Sequence, residues 1–132
     1  MKSTILLIAF ALSFTFGYAQ APTDSLTTTE NPNQAEGTIT LAELFANKTN
    51  YANKKVVIRG EVKKYNSKIM GKNWIHIQDG TEYMGENDLT ITSQMEVKTG
   101  DVVTMEGKIT LDKDFGSGYF YKIIMEEGKI ME

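Results

Sequence analysis

Two stretches of this chain place a glycine inside an alternating apolar pattern, and this feature limits the folds that the chain can adopt. The apolar positions of both stretches are two residues apart: Val56, Ile58, Gly60 and Val62, then Val103, Met105, Gly107 and Ile109. A period of two is typical of β-strands with one buried face. A glycine inside such a strand permits a sharp bend or bulge, which closing a small barrel requires.

Three further stretches have the length and composition of strands: residues 74–78, 88–93 and 119–124. In the first two, the predicted core positions are Ile75, Ile77, Leu89 and Ile91. Before the strands, Thr40 and Glu43 have the spacing of a helix capping box. The sequence therefore predicts a mainly β fold, a five-stranded Greek-key OB-fold barrel with a short N-terminal helix. An SH3-like barrel, which also has five strands, is the alternative.

The N-terminal segment is typical of an export signal. Lys2 precedes the apolar run of residues 5–16, and Gly17 and Ala19 have the spacing that signal peptidase prefers. We expect a signal peptide over residues 1–19, a flexible linker over residues 20–37 and the barrel domain over residues 38–132. A retained membrane anchor is the alternative, but the run is shorter than the ~20 residues that a span needs. The expected location is periplasmic or secreted, with no stable membrane insertion after cleavage.

Charge is unevenly distributed along the chain. Residues 54–72 contain seven basic residues and one acid, whereas residues 73–132 contain five basic and twelve acidic residues. A lysine run is often only a solvated surface, but it can also form a local site for an anionic ligand. The overall net charge of −3 argues against a protein that coats nucleic acid non-specifically.

The strand sequences "VVIRGEV", "NWIHIQDGT", "DLTIT" and "GDVVTMEGKI" resemble the anticodon-binding OB-fold domains of aspartyl-type tRNA synthetases. With the "GKNW" that opens the second strand, they are more similar still to small secreted bacterial OB-fold proteins. The resemblance covers about residues 39–130. It implies that Trp74 occupies the place of a base-stacking aromatic. It also implies that His76 and Gln78 face the ligand, with Gln78 where the synthetases often have arginine.

The candidate binding surface combines the outer face of the second strand with two segments expected to be loops, residues 63–72 and 111–120. In OB-folds the ligand lies across strands two and three, between the first-second and fourth-fifth loops. Basic groups interleaved with aromatic rings around an exposed tryptophan suit an anionic oligomer with flat rings. The predicted ligand-binding residues are Arg59, Lys63, Tyr65, Lys68, Lys72, Trp74, His76, Gln78, Thr90, Phe115 and Phe120. The alternative for Trp74 is a half-buried residue beneath the first loop.

The sequence contains few of the residues that a catalytic or metal site requires. The chain has no cysteine and a single histidine, so a thiolate site is excluded and a zinc site lacks ligands. Asp112 and Asp114 resemble the start of a calcium loop, but the glutamate expected at its twelfth position is Ile123. Methionines near His76 permit a soft-metal site, although core filling is the simpler role. We expect no enzymatic activity and no cofactor.

The predicted function is an exported, non-catalytic OB-fold binding module. The resemblance implies single-stranded nucleic acid as the ligand. A periplasmic protein or glycan partner, or a role as an accessory factor of a cell-envelope complex, is the alternative. The export signal and the acidic total favour that alternative.

Overall fold

A ring of five β-strands, preceded by two short helices, makes up residues 37–131, the part of the chain that the computed structural model describes. In chain order the elements are α1 (Leu41–Ala46), α2 (Lys48–Tyr51), β1 (Lys55–Ile69), β2 (Lys72–Gln78), β3 (Leu89–Ser93), β4 (Val102–Asp114) and β5 (Phe120–Ile130). The predicted signal peptide and residues 20–36 of the predicted linker lie outside the described residues. Within residues 37–131, no helix is long and apolar enough to cross a membrane.

The sheet is mixed and closes on itself in the order β1-β2-β3-β5-β4. β1 pairs antiparallel with β2 and with β4, and the β2–β3 and β4–β5 pairs are also antiparallel. β3 and β5 pair in parallel, with Ile91 opposite Met125 and Ser93 opposite Gly128. The predicted mainly β class and the five strands are therefore confirmed.

The two strand glycines lie where neighbouring strands pass closest. A Cβ atom at Gly60 would lie 2.6 Å from the backbone oxygen of Gln78, and a Cβ atom at Gly107 would overlap the Met125 side chain. The β4–β5 register also shifts between Glu106 and Lys108, which makes Gly107 the centre of a β-bulge. No side chain fits at either position without a shift, and at Gly107 the predicted bulge is present.

The core lies inside the ring and is built from the inward half of each alternating pattern. All four residues predicted from β2 and β3 are fully buried: Ile75, Ile77, Leu89 and Ile91. Leu41, Leu44 and Phe45 of α1 join the same apolar cluster. Alternation alone therefore identified which face of each central strand points inward.

α1 is held in place by the turn that follows β2. Three side-chain oxygens accept hydrogen bonds from its first N–H groups: Asp79 from Leu41, Thr81 from Ala42 and Thr40 from Glu43. These groups have no partner inside a helix, so the contacts are caps. The "DGT" at residues 79–81 is thus a structural element that joins the helix to the barrel.

The prediction of a single short N-terminal helix is wrong. Residues 41–51 form two helices, α1 and α2, with Asn47 between them. The first begins at Leu41, far from the N-terminus of the chain. The capping signal at Thr40 located its start correctly, because Thr40 Oγ1 does accept from the Glu43 N–H at 3.1 Å.

Two hairpins extend beyond the ring, and both include segments that the sequence predicted to be loops. β1 pairs with β4 only over Lys55–Glu61 and continues to Ile69 paired with β2 alone. The connection to β2 is the two-residue turn Met70–Gly71, whose φ angles of 51° and 71° suit a tight hairpin. β4 likewise continues to Asp114. We call residues 63–74 the first arm and residues 110–122 the second arm.

Candidate functional site

Trp74 lies on the outer face of β2, as predicted, but it is only 4% exposed, so the predicted exposed platform is wrong. Ile75 on the other side of the strand is in the core. The indole is covered by the second arm, and its Nε1 donates to the Ile69 backbone oxygen at 2.9 Å. Trp74 is therefore held between the two arms.

An aromatic cluster forms around this indole. The Phe115 ring meets it edge-on with ring centroids 5.0 Å apart, and the Tyr121 ring stacks on it at 5.7 Å and 29°. Tyr119 lies at 6.2 Å, and Phe115 also meets Tyr121 edge-on at 6.0 Å. Edge-to-face and offset arrangements at these distances are the favourable ones for aromatic pairs. The four rings join the second arm to the β2 strand.

Two lysines lie over the Phe115 ring. The Nζ atoms of Lys72 and Lys113 are each 5.3 Å from its centroid, within cation–π range. Lys113 also lies 3.5 Å from a carboxylate oxygen of Glu126. Burial raises the pKa of Glu126, but a hydrogen bond from Thr110 and the Lys113 charge outweigh burial and hold this pKa below its usual value. The cluster is therefore flanked by fixed cations.

The backbone of both arms adopts left-handed conformations at several non-glycine residues. Lys68 and Met70 have φ angles of 55° and 51°, and Asp112 and Ser117 have φ angles of 51° and 53°. Such residues carry strain that surrounding structure must maintain, and they concentrate at binding and catalytic sites. Asn53, Met84 and Glu127, which lie outside the arms, have similar φ angles of 62°, 50° and 55°, so these conformations do not single out the arms.

A polar group continues along the outer face of β2. His76 Nδ1 lies 2.7 Å from Asp88 Oδ1, and Gln78 Nε2 donates to Asp88 Oδ2 at 3.3 Å. Burial raises the pKa of the Asp88 carboxyl, but the hydrogen bonds from His76 and Gln78 lower it more, so this pKa lies below its ordinary value. Thr90 pairs with His76 across the β2–β3 ladder but is only 6% exposed, so the prediction that it points outward to the ligand is wrong.

The predicted basic residues divide between two places. Lys72 and the exposed Lys68 belong to the first arm, near the aromatic cluster. Arg59 and Lys63 instead line a groove of about 520 Å³ with Gln78, at the other end of β2. Arg59 donates to Thr104, and Lys63 is paired with Glu61 at 3.0 Å. The eleven predicted residues therefore do not form one pocket.

The prediction that Tyr65 faces the ligand is wrong. Tyr65 pairs with Ile75 and packs against the barrel core. The β1–β2 register shifts between Val62 and Lys64, and one extra residue in a strand moves every later side chain to the other face. The same shift places Lys64, which belongs to the lysine-rich segment predicted to flank the ligand, opposite His76 on the outer face.

Several site residues were missed because their roles depend on distant contacts. Tyr121 contributes the closest-stacked ring, and Asp88 holds His76 from twelve positions away. Asn73 is buried, accepts from the Lys68 N–H and donates to the Met95 carbonyl, so it fixes the first arm to the β3–β4 connection. Tyr121 belongs to the aromatic run "YFY", which was the one available signal for its role.

A larger groove of about 820 Å³ begins beside the cluster, at Lys72, and runs along β5. Its lining combines Lys72, Lys108 and Lys129 with the carboxylates of Glu126 and Glu127. Within the described residues, no three metal-ligating side chains come together, so the arrangement offers hydrogen bonds, charges and rings.

Comparisons with protein-family models, with curated proteins and with solved structures found no match to this chain.

Proposed function

We propose that the chain is an exported, non-catalytic OB-fold module that binds a single-stranded nucleic acid along the outer face of β2, between the two arms. The ring order β1-β2-β3-β5-β4 with its parallel β3–β5 pair supports the OB-fold over the SH3-like alternative. In such folds the loops that join strands one and two, and four and five, flank the ligand. Here those connections are the ends of the two arms.

The observation that carries the proposal is the lysine-flanked aromatic cluster. Trp74 is buried within the cluster. Tyr119, whose ring lies beside the indole, is 44% exposed and is therefore accessible from solvent. Lys64, Lys68 and Lys72 of the first arm provide positive charge along the same side of β2. Ring stacking with nearby cations is how single strands are bound without regard to sequence. The stacking role predicted for Trp74 is accordingly proposed for Tyr119.

Titration of a labelled oligothymidylate against the protein at increasing salt tests this proposal. Binding to single strands weakens with a log–log slope of about −0.7 per neutralised phosphate. Three lysines of the first arm, Lys64, Lys68 and Lys72, therefore predict a slope near −2 if all of them engage, since Lys63 is paired with Glu61. No detectable binding at low salt, or an affinity that does not depend on salt, would refute the nucleic-acid ligand.

A matched pair of tyrosine variants tests how much the Tyr119 ring contributes to oligothymidylate affinity. Tyr119→Ala is expected to weaken oligothymidylate binding by about 1–3 kcal/mol, the range for one base–aromatic stack. Tyr83 lies in the β2–β3 connection with a similar exposed fraction, 41% against 44%, so Tyr83→Ala is the control and should leave affinity unchanged. Equal effects of the two substitutions would show that Tyr119 is no stacking platform.

A glycan or envelope protein is the second candidate ligand, and the polar group on β2 favours it. The carboxylate of Asp88 lies on the proposed binding face, where it repels phosphate but can accept hydrogen bonds from sugar hydroxyls or backbone amides. Asp88→Asn distinguishes the two ligands. Removing this negative charge should strengthen nucleic-acid binding and weaken binding of a ligand that donates hydrogen bonds to the carboxylate.

A further inference from the structure

Both arms end in exposed apolar side chains, and the base stacking proposed for Tyr119 accounts for only one of them. Ile69 and Met70 are exposed at the end of the first arm, and Tyr119 and Phe120 are exposed at the end of the second. Stacking uses flat rings, whereas Ile69 and Met70 are aliphatic. Exposed groups of large apolar side chains on a soluble domain mark surfaces that contact another molecule or a membrane.

The two arm ends are neighbours, so their apolar side chains form one surface. A single indole contacts both: Trp74 donates to the Ile69 backbone oxygen and lies 6.2 Å from the Tyr119 ring. The Met70–Gly71 turn follows Ile69 directly, and Phe120 follows Tyr119. The two ends are therefore separated by about the width of one tryptophan. We call Ile69, Met70, Tyr119 and Phe120 the apolar tip.

The charge around the apolar tip is positive. The first arm carries Lys64, Lys68 and Lys72 beyond Lys63, which is paired with Glu61, and residues 62–78 contain no acid. The second arm carries two lysines and two aspartates, and one of these, Asp114, accepts from the Gly116 N–H. By contrast, residues 79–88 contain four acids and no lysine or arginine. The end of the molecule that carries the apolar tip is thus basic, whereas the β2–β3 connection, residues 79–88, is acidic.

We propose that the apolar tip enters the interface of a lipid bilayer rich in anionic lipids, with the first-arm lysines against the headgroups. This goes beyond the proposed nucleic-acid function, and of the four tip residues only Tyr119 is shared with the proposed stacking surface. Anionic leaflets attract basic groups within about a Debye length, and apolar side chains beside those groups add affinity by entering the interface. Tyrosine is enriched at this depth in membranes because its ring is amphipathic.

The chain contains its own matched control for this proposal. Met70–Gly71 and Met84–Gly85 are two turns with the same residues and nearly the same backbone: the methionines have φ angles of 51° and 50°. Met84 is 87% exposed, more than Met70 at 48%, but it lies between Glu82 and Glu86 in the acidic connection. An aspartate at either position meets the same backbone requirement, so the two substitutions differ mainly in their surroundings.

The experiment is co-sedimentation of Met70→Asp, Met84→Asp and the unchanged protein with phosphatidylglycerol or phosphatidylcholine vesicles at low salt. We expect the unchanged protein to bind phosphatidylglycerol vesicles and not phosphatidylcholine vesicles. Met70→Asp should lower that binding about tenfold, because it removes apolar contact and adds a repelled charge, while Met84→Asp should not change it. All three proteins contain residues 1–36, so vesicle binding through that segment would be the same for each protein. A difference in vesicle binding among them therefore comes from the substitutions.

Oligothymidylate binding by the same variants separates this proposal from the proposed function. Met70→Asp adds one negative charge near the first-arm lysines but removes no ring and no lysine, so it should lower oligothymidylate affinity by at most about threefold relative to Met84→Asp. Thermal midpoints that agree between the two variants exclude a folding defect. The lipid proposal is overturned if the unchanged protein ignores phosphatidylglycerol vesicles or if both variants lose vesicle binding equally. It is also overturned if Met70→Asp reduces oligothymidylate binding as strongly as vesicle binding, since the tip would then belong to the nucleic-acid surface.

Discussion

Replacing Trp74 with alanine is expected to lower the free energy of unfolding by about 3–5 kcal/mol. The indole is 4% exposed and contacts three rings of the second arm. A buried aromatic side chain removes about 150–250 Å² from water, which corresponds to roughly 4–6 kcal/mol at about 25 cal/mol per Å². That figure is an upper bound, because the unfolded chain already buries some of this area. The Nε1 hydrogen bond adds about 1 kcal/mol, partly recovered when water reaches the freed Ile69 oxygen.

Urea unfolding followed by far-ultraviolet circular dichroism measures this loss, since the alanine variant has no tryptophan fluorescence. Trp74→Phe keeps one ring but no N–H donor and should lose about 1–2 kcal/mol. Tyr83→Ala, in an exposed connection, is the control and should stay within about 0.5 kcal/mol of the unchanged protein. A loss below about 1 kcal/mol for Trp74→Ala, at an unchanged slope against urea, would show that the arms do not close over the indole.

Three further substitutions test other parts of the structure. Asp79→Ala removes the cap on the Leu41 N–H and should cost about 0.5–2 kcal/mol of stability by urea unfolding. Gly60→Ala would place a Cβ 2.6 Å from the Gln78 oxygen, so its urea midpoint should fall by more than that of any exposed substitution, with a cost of about 1–3 kcal/mol. Asp88 has a lowered pKa in the folded protein, so its ionised form adds stability above its usual pKa of 3.8, and this is lost as pH falls through the lowered value. Asp88→Asn should therefore be less stable than the unchanged protein at pH 7, and the difference should shrink in thermal scans below about pH 4.

The strand pattern could be predicted because its cause is local. Successive side chains of a strand point to opposite faces, so Ile75 and Ile77, two residues apart, share one face. Both are buried. The close approach at Gly60 and Gly107 follows from the absence of a side chain at each position. Each of these features can be read from a few neighbouring residues, and the closed ring of five strands is consistent with all of them.

The arms could not be predicted because their stability comes from contacts between distant parts of the chain. Residues 63–72 lack an alternating apolar pattern, which is typical of a loop, and they form a hairpin because Asn73 and Trp74 fix its end. Trp74 is buried by rings some forty residues later in the chain. The inward position of Tyr65 depends on a single extra residue in β1, and alternation alone cannot locate such a bulge.

The most direct test of the account is a nuclear magnetic resonance titration of ¹⁵N-labelled protein with oligothymidylate at low salt. The chain has one tryptophan, so its indole N–H gives a single, unambiguous signal from the centre of the aromatic cluster. If the ligand binds between the arms, this signal and the Gly116 and Gly118 amides of the second arm should shift together and saturate at one concentration. Shifts confined to the groove of Arg59 and Lys63, with the Trp74 indole unchanged, would contradict the account.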